Sequence, residues 1–276
     1  MIVKKALFRN VRNFLVYSNI WVALSVASLT EVLNIHAQID NLLIVIFNFC
    51  AALAGYNYMH LSVFIVSPHN LKASRLRWLY KHKTLIIIIT LVAALISVYL
   101  FFYLGSGNQK NILLFTIISA LYIIPSRKNI GLRWISGLKI LVIASCWTLL
   151  ATLPLQQSIE FNAIAILATW LFIIGLTIPF DIRDIATDPK ALKTIPQLTG
   201  TNAATWLSFG CILTSLILLT TSNNTVNIII GNTLFLTLAI LFIGKVAAHP
   251  SAAFINFYIE GLPTLWLLIT KAASLF

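Results

Sequence analysis

The chain has 276 residues, of which 59% are hydrophobic and only 9% charged, with a mean hydropathy of +0.94. These figures exclude an ordinary water-soluble domain, which carries about 25% charged residues, and intrinsic disorder, which needs low hydrophobicity. The formal net charge of +12 does not indicate nucleic-acid binding, because the 19 Lys and Arg sit in gaps between apolar runs instead of sharing one soluble face.

A membrane-crossing helix takes about 20 apolar residues. Apolar runs bounded by polar or Pro/Gly clusters predict an all-α polytopic membrane protein, one transmembrane domain over 1–276. Nine helices are expected at about 13–33, 40–66, 84–104, 111–125, 137–154, 161–180, 203–221, 226–244 and 251–270. A β-barrel would alternate with a dyad period, whereas the run from Thr84 to Leu104 is apolar on every face. The start carries Lys4, Lys5, Arg9 and Arg12 ahead of an apolar run, as a signal peptide does. That run, Phe14 to Leu33, exceeds an h-region of about 7–15 residues and reads as an uncleaved first span. Cys50, Cys146 and Cys211 each lie alone in apolar runs and read as small buried hydrophobes.

Cytoplasmic loops carry the Lys and Arg excess. With nine spans, one side receives 17 of these residues and the other only Lys110 and Lys271, so the N-terminus is expected in the cytoplasm. The first side includes the loops with Lys72, Arg75, Arg77, Lys81 and Lys83, and with Arg127, Lys128, Arg133 and Lys139. Each such residue also has a purely topogenic reading.

Three of the seven acidic residues fall within eight positions, Asp181, Asp184 and Asp188. If the sixth helix continues through them, they lie within an arc of about 60°. A carboxylate inside the membrane costs about 2.5–3.5 kcal/mol on insertion scales, so a cation is expected beside them. An oxygen-only set suits Mg²⁺, which carboxylates hold together with substrate phosphates; Lys190 and Lys193 follow closely enough to meet phosphate oxygens. The competing reading is a solvated acidic helix end, with Pro179 and Pro189 as breakers.

The stretch from Asp181 to Gly200, DIRDIATDPKALKTIPQLTG, resembles the second aspartate-rich motif of the UbiA superfamily of intramembrane prenyltransferases, a DxxDxxxD pattern with a basic, Thr-Pro and Gly-containing loop. LYIIPSRKNIGLRWISGLK resembles the end of that family's fourth helix. The resemblance implies transfer of a prenyl group from an allylic, polyprenyl diphosphate to a lipophilic acceptor. It implies Mg²⁺ held by Asp181, Asp184 and Asp188, which are then also the catalytic set, with Lys193 on the diphosphate and Tyr122 lining the prenyl pocket. It implies a site facing the cytoplasm from a bacterial inner membrane.

The family's first motif, NxxxDxxxD, falls on Asn57, but its aspartate positions hold Leu61 and Ile65. SPHNLKAS and DPKALKTI share P-x-x-L-K at Pro68–Lys72 and Pro189–Lys193, a shift of 121 residues that suggests pseudo-repeat halves at 1–125 and 126–245. Under that shift His60 corresponds to Asp181, leaving Asn57 and His60 as polar groups for the phosphates. Asn19 and Glu260 are further polar residues within apolar runs. Three functions are open at this level: a Mg²⁺-dependent prenyltransferase, a non-catalytic isoprenoid or lipid binder of the same fold, and a cation-coupled transporter.

Overall fold

A computed structural model describes residues 2–66, 74–123, 135, 137–157, 159–222 and 225–275, and all regular structure among these is helical. The basic residues Lys72, Arg127, Lys128 and Arg133 lie outside the described residues, as does the Pro68–Lys72 half of the suggested repeat. The helices are α1 (Ile2–Tyr17), α2 (Ile20–Ala37), α3 (Leu42–Val66), α4 (Ser74–Lys81), α5 (Lys83–Phe101), α6 (Ser106–Ile123), α7 (Leu138–Ala151), α8 (Ile159–Asp184), α9 (Ile195–Thr199), α10 (Thr201–Ser222), α11 (Val226–Ala248), α12 (Ala252–Phe254) and α13 (Leu262–Ala273).

Among the described residues, seven helices are long and apolar enough to cross a membrane: α2, α3, α5, α8, α10, α11 and the composite segment Ala252–Ala273. The remaining two expected positions are helical but different in kind. α6 opens on the polar run Ser106–Lys110, and α7 has only 14 residues.

The expected first span, 13–33, is broken. Ser18 and Asn19 are buried, the Ser18 hydroxyl donates to the Phe14 carbonyl at 2.7 Å, and Asn19 takes a left-handed conformation with φ 61°. Asn tolerates that region better than most residues, so the chain turns here and α2 starts afresh. α1 precedes it as a separate amphipathic helix, exposing Leu7, Phe8, Val11 and Phe14 beside Arg9 and Arg12, a pattern suited to a membrane surface.

The interior combines apolar packing with hydrogen bonds between helices. Trp266 is fully buried, stacks on Phe235 at 4.9 Å between ring centroids, and donates its indole N–H to Asn232. Asn48 donates to Thr30 at 2.8 Å and to the Leu150 carbonyl at 2.7 Å, tying α3 to α2 and α7. Such polar contacts serve where lipid offers helices no hydrophobic driving force to associate.

Candidate functional site

The acidic end of α8 is positioned by close packing further up the helix. Pro179 lies inside α8 and has no N–H to give the Gly175 carbonyl four residues earlier. Ser208 of α10 supplies the missing donor at 2.6 Å. Gly175 permits this approach, because a Cβ there would stand 2.7 Å from Ile212 Cγ1 and 2.9 Å from the Ser208 carbonyl oxygen. Pro179 therefore does not break the helix, which continues to Asp184.

Beyond Asp184 the chain turns, the Asp188 N–H donating to the Asp184 carbonyl at 2.7 Å. The three aspartates accordingly do not share one helical face. Asp181 and Asp188 converge on Lys139, whose Nζ is 2.9 Å from Asp181 Oδ1 and 2.9 Å from Asp188 Oδ2. The contact with Asp188 is a hydrogen bond, whereas Asp181 Oδ1 is met off the hydrogen-bonding direction and is an ion pair only. Asp184 diverges to the neighbouring Arg183, which holds both its oxygens at 2.7 and 2.6 Å. Arg183 also donates to Asn256 and lies over the Phe180 ring.

These pairings answer an electrostatic problem. Carboxylates in the last turn of a helix and a cation in the first turn are each disfavoured by the helix dipole. Asp181 and Asp184 end α8 and Lys139 starts α7, so the antiparallel ends offset each other. The junction is braced by its loop. Gly137, at φ 72°, donates its N–H to the Leu192 carbonyl at 3.1 Å, and Gln197 accepts from the Thr194 N–H while donating to the Asp188 carbonyl. Lys190 and Lys193 are exposed on this loop.

Asn57 of α3 faces the same end of the bundle. It is 0% exposed; its Oδ1 accepts from Asn19 Nδ2 at 2.7 Å, and its own Nδ2 finds no acceptor among the described residues. Asn19 Oδ1 in turn accepts from Arg75 of α4, which also reaches the Val16 carbonyl at 3.3 Å. Arg75 Nε is buried and likewise without an acceptor among the described residues. Burial pushes the Arg75 guanidinium below its ordinary pKa, and the nearby charge of Glu260 opposes that shift.

Glu260 lies in electrostatic reach of both Arg75 and Arg183. Its place is set by a π-helical segment, Ile255–Ile259, between α12 and α13, in which the Glu260 N–H bonds to the Ile255 carbonyl at 3.1 Å. Two carbonyls of this wide turn are met from α2: Trp21 donates to Phe257 at 2.7 Å, and Ser25 to Glu260 at 2.6 Å. Trp21 also stacks on Phe257 at 4.7 Å. Single-turn π segments of this kind recur at functional sites.

An aromatic group adjoins the charged one. The Tyr56 hydroxyl accepts from Trp147 at 2.8 Å, and Tyr56 interacts electrostatically with Glu260 and with Tyr122 of α6. His60 lies one turn beyond Asn57 on α3 and is half-buried. Hydrogen bonds thus join Asn57 to Arg75 through Asn19, and Arg183 is paired with Asp184, while Glu260 is in electrostatic reach of both guanidiniums. The structure sets Asp181 and Asp188 apart on Lys139 and leaves Lys193 at the exposed rim. Sequence reasoning overlooked Lys139 as a site residue. Its signal was a lysine at the start of an apolar helix, which needs an anion beside it.

As arranged, these groups do not fit a divalent metal. Lys139 takes the bridging place between two carboxylates, and Asp184 is satisfied by Arg183. Leu61 stands where the family pattern has a carboxylate, and no group of three His, Cys, Asp or Glu among the described residues could hold an ion. The side chain of Ile65, at the other such position, lies outside those described.

Taken together, the apolar helices and the charged cluster at one end of the bundle define an integral, polytopic α-helical membrane protein. No family model and no curated protein matches the sequence. The fold is that of solved UbiA homologues. A UbiA homologue from Archaeoglobus fulgidus bound to GPP and Mg²⁺ superposes with a TM-score of 0.64 at 12% identity, over 96% of this chain and 100% of that one. The homologue bound to DMAPP and Mg²⁺ gives 0.62 at 14% identity, again over 96% and 100%. A structure of digeranylgeranylglyceryl phosphate synthase gives 0.56 at 13% identity, over 96% and 99%.

Proposed function

We propose that this protein is a prenyltransferase-like membrane enzyme that binds a polyprenyl diphosphate by its head group and transfers the prenyl chain to a lipophilic acceptor. The observation that carries the reading is the pair of buried donors without an acceptor among the described residues, Asn57 Nδ2 and Arg75 Nε, near an aromatic group. Support also comes from the fold, whose solved examples bind GPP and DMAPP with Mg²⁺.

In this reading the diphosphate leaves with the electrons of the broken C–O bond, and Arg75, Arg183 and the loop residue Lys193 take up the charge it carries. The allylic cation left behind is stabilised by aromatic faces, for which Tyr56, Tyr122 and Trp147 are the candidates. Asn57 and His60 orient the phosphates. Mg²⁺ belongs to the proposal through the family, where it would neutralise the leaving diphosphate. Asp181, Asp184 and Asp188 would hold it only after giving up Lys139 and Arg183. The site faces the cytoplasm of a bacterial inner membrane in this reading, as the loop charges suggest.

A second reading, an isoprenoid binder that no longer catalyses, is favoured by Leu61 and by the ion pairs that already satisfy the aspartates. The two are separated by incubating purified protein with labelled geranyl diphosphate, Mg²⁺ and a membrane-lipid extract. Diphosphate release that disappears in Asp184→Ala supports the enzyme. Saturable binding without release supports the binder, and absence of both overturns the head-group reading.

A further inference from the structure

At the Asn57 end of α3 two buried groups have no acceptor among the described residues, and both are donors: Asn57 Nδ2 and Arg75 Nε. Asn19 fixes the arrangement, because its Nδ2 donates to Asn57 and its Oδ1 accepts from Arg75, so the Asn57 amide is oriented with Nδ2 left over. Leaving a buried donor unmade costs about 1–3 kcal/mol, more for a charged group. A guanidinium and an amide N–H held together present two donors, which match a phosphate and repel a metal ion.

The sequence shows the complementary loss. Leu61 is one helical turn from Asn57, on the same side of α3, where the UbiA pattern has an aspartate. At the end of α8 Lys139 bridges Asp181 and Asp188, so a cation of the chain stands between two carboxylates of the second motif.

Resting on the head-group reading above, we propose that Asn57 and Arg75, held by Asn19, form a direct oxyanion subsite that takes one phosphate of the diphosphate without a bridging metal ion. Arg75 does the electrostatic work of the missing ion, and Asn57 supplies the second hydrogen bond. Asn19 is a positioning residue. Lys139 and Arg183 offset two of the three charges of Asp181, Asp184 and Asp188, so only one net negative charge of this cluster opposes the anion.

The test is a binding titration of geranyl diphosphate, and separately of inorganic pyrophosphate, to the full chain in neutral detergent, with EDTA and with Mg²⁺. Saturable binding of both in EDTA is expected, within a few-fold of the affinity in Mg²⁺. Arg75→Gln should weaken it about 10- to 100-fold, the effect of losing a charge-assisted hydrogen bond. Asn57→Asp, nearly isosteric, should abolish binding in EDTA and restore some of it with Mg²⁺, since it replaces a donor by a carboxylate. Should Arg75→Gln fail to fold, the native chain in EDTA and Asn57→Asp still decide the matter. Binding seen only with Mg²⁺ overturns the subsite and leaves the head-group reading standing. Binding in EDTA that neither substitution changes also overturns it. No binding in either condition removes both. If phosphatidic acid binds while geranyl diphosphate does not, the phosphate comes from a lipid and the proposal for a prenyl diphosphate falls.

Discussion

Lys139 Nζ lies 2.9 Å from Asp181 Oδ1, joining the first turn of α7 to the last turn of α8 across 42 residues of sequence. Asp181 is 2% exposed and Lys139 14%, so neither charge has much water to fall back on. Breaking such a pair on one side costs about 3–5 kcal/mol, because the remaining charge is buried alone. Lys139→Met should therefore lower the thermal midpoint in detergent sharply. Adding Asp181→Asn should recover the part of the loss that belongs to Asp181, since a neutral amide needs no counter-ion, while Asp188 stays without its partner. A double variant no more stable than Lys139→Met would show that the pair is not coupled.

Gly175 tests the packing that aims α8. A Cβ at this position would come within 2.7 Å of Ile212 Cγ1 and 2.9 Å of the Ser208 carbonyl, and the carbonyl is backbone that cannot swing away. Gly175→Ala should destabilise by about 1–3 kcal/mol, as overpacking does. Gly55, also mid-helix, has nothing within 4 Å of the same added atom, so Gly55→Ala should be neutral or stabilising by up to about 1 kcal/mol. Equal melting shifts for the two variants would contradict this account.

The contrast between Asp184 and Lys139 marks how far the sequence could be read. The aspartate spacing is local, so the acidic end of α8 and its need for a counter-charge were visible in the residues themselves. The identity of the cation was not, because Lys139 meets Asp181 and Asp188 only when two helix ends are brought together. The same holds for Glu260. Its cost inside an apolar run was legible, but its relation to Arg75 and Arg183 depends on the π segment, which no hydrophobic pattern announces. Helix positions followed from apolar runs because burial in lipid is a one-dimensional property. The break at Asn19 did not, since an apolar run continues past it and only the left-handed backbone there separates α1 from α2.

Glu260 supplies a prediction of opposite signs for stability and binding. It is in electrostatic reach of two guanidiniums, so Glu260→Gln removes an attraction to Arg75 and Arg183 and should lower the thermal midpoint. The same change removes a negative charge from the neighbourhood of the proposed phosphate position. Pyrophosphate affinity in EDTA should rise at least about threefold, as expected for one less repulsive charge at short range. The check is a titration of native and variant protein at equal ionic strength. Affinity that falls with stability would mean that Glu260 shapes the site instead of opposing the anion.

Leu61 offers the most direct comparison with the UbiA pattern, because Leu61→Asp restores a carboxylate one turn from Asn57. The position is half-buried. Without metal the variant should lose about 1–3 kcal/mol through an incompletely satisfied polar group. Any ion that binds the folded chain stabilises it according to its concentration over its Kd, about 2.7 kcal/mol at a hundredfold excess. Millimolar Mg²⁺ should therefore raise the thermal midpoint of Leu61→Asp and leave that of the native protein nearly unchanged. Calorimetry with Mg²⁺ and then with EDTA distinguishes the two. A native protein that Mg²⁺ stabilises as strongly as the variant would mean that Lys139 and Arg183 yield their carboxylates to the metal, and that the second motif binds it unaided.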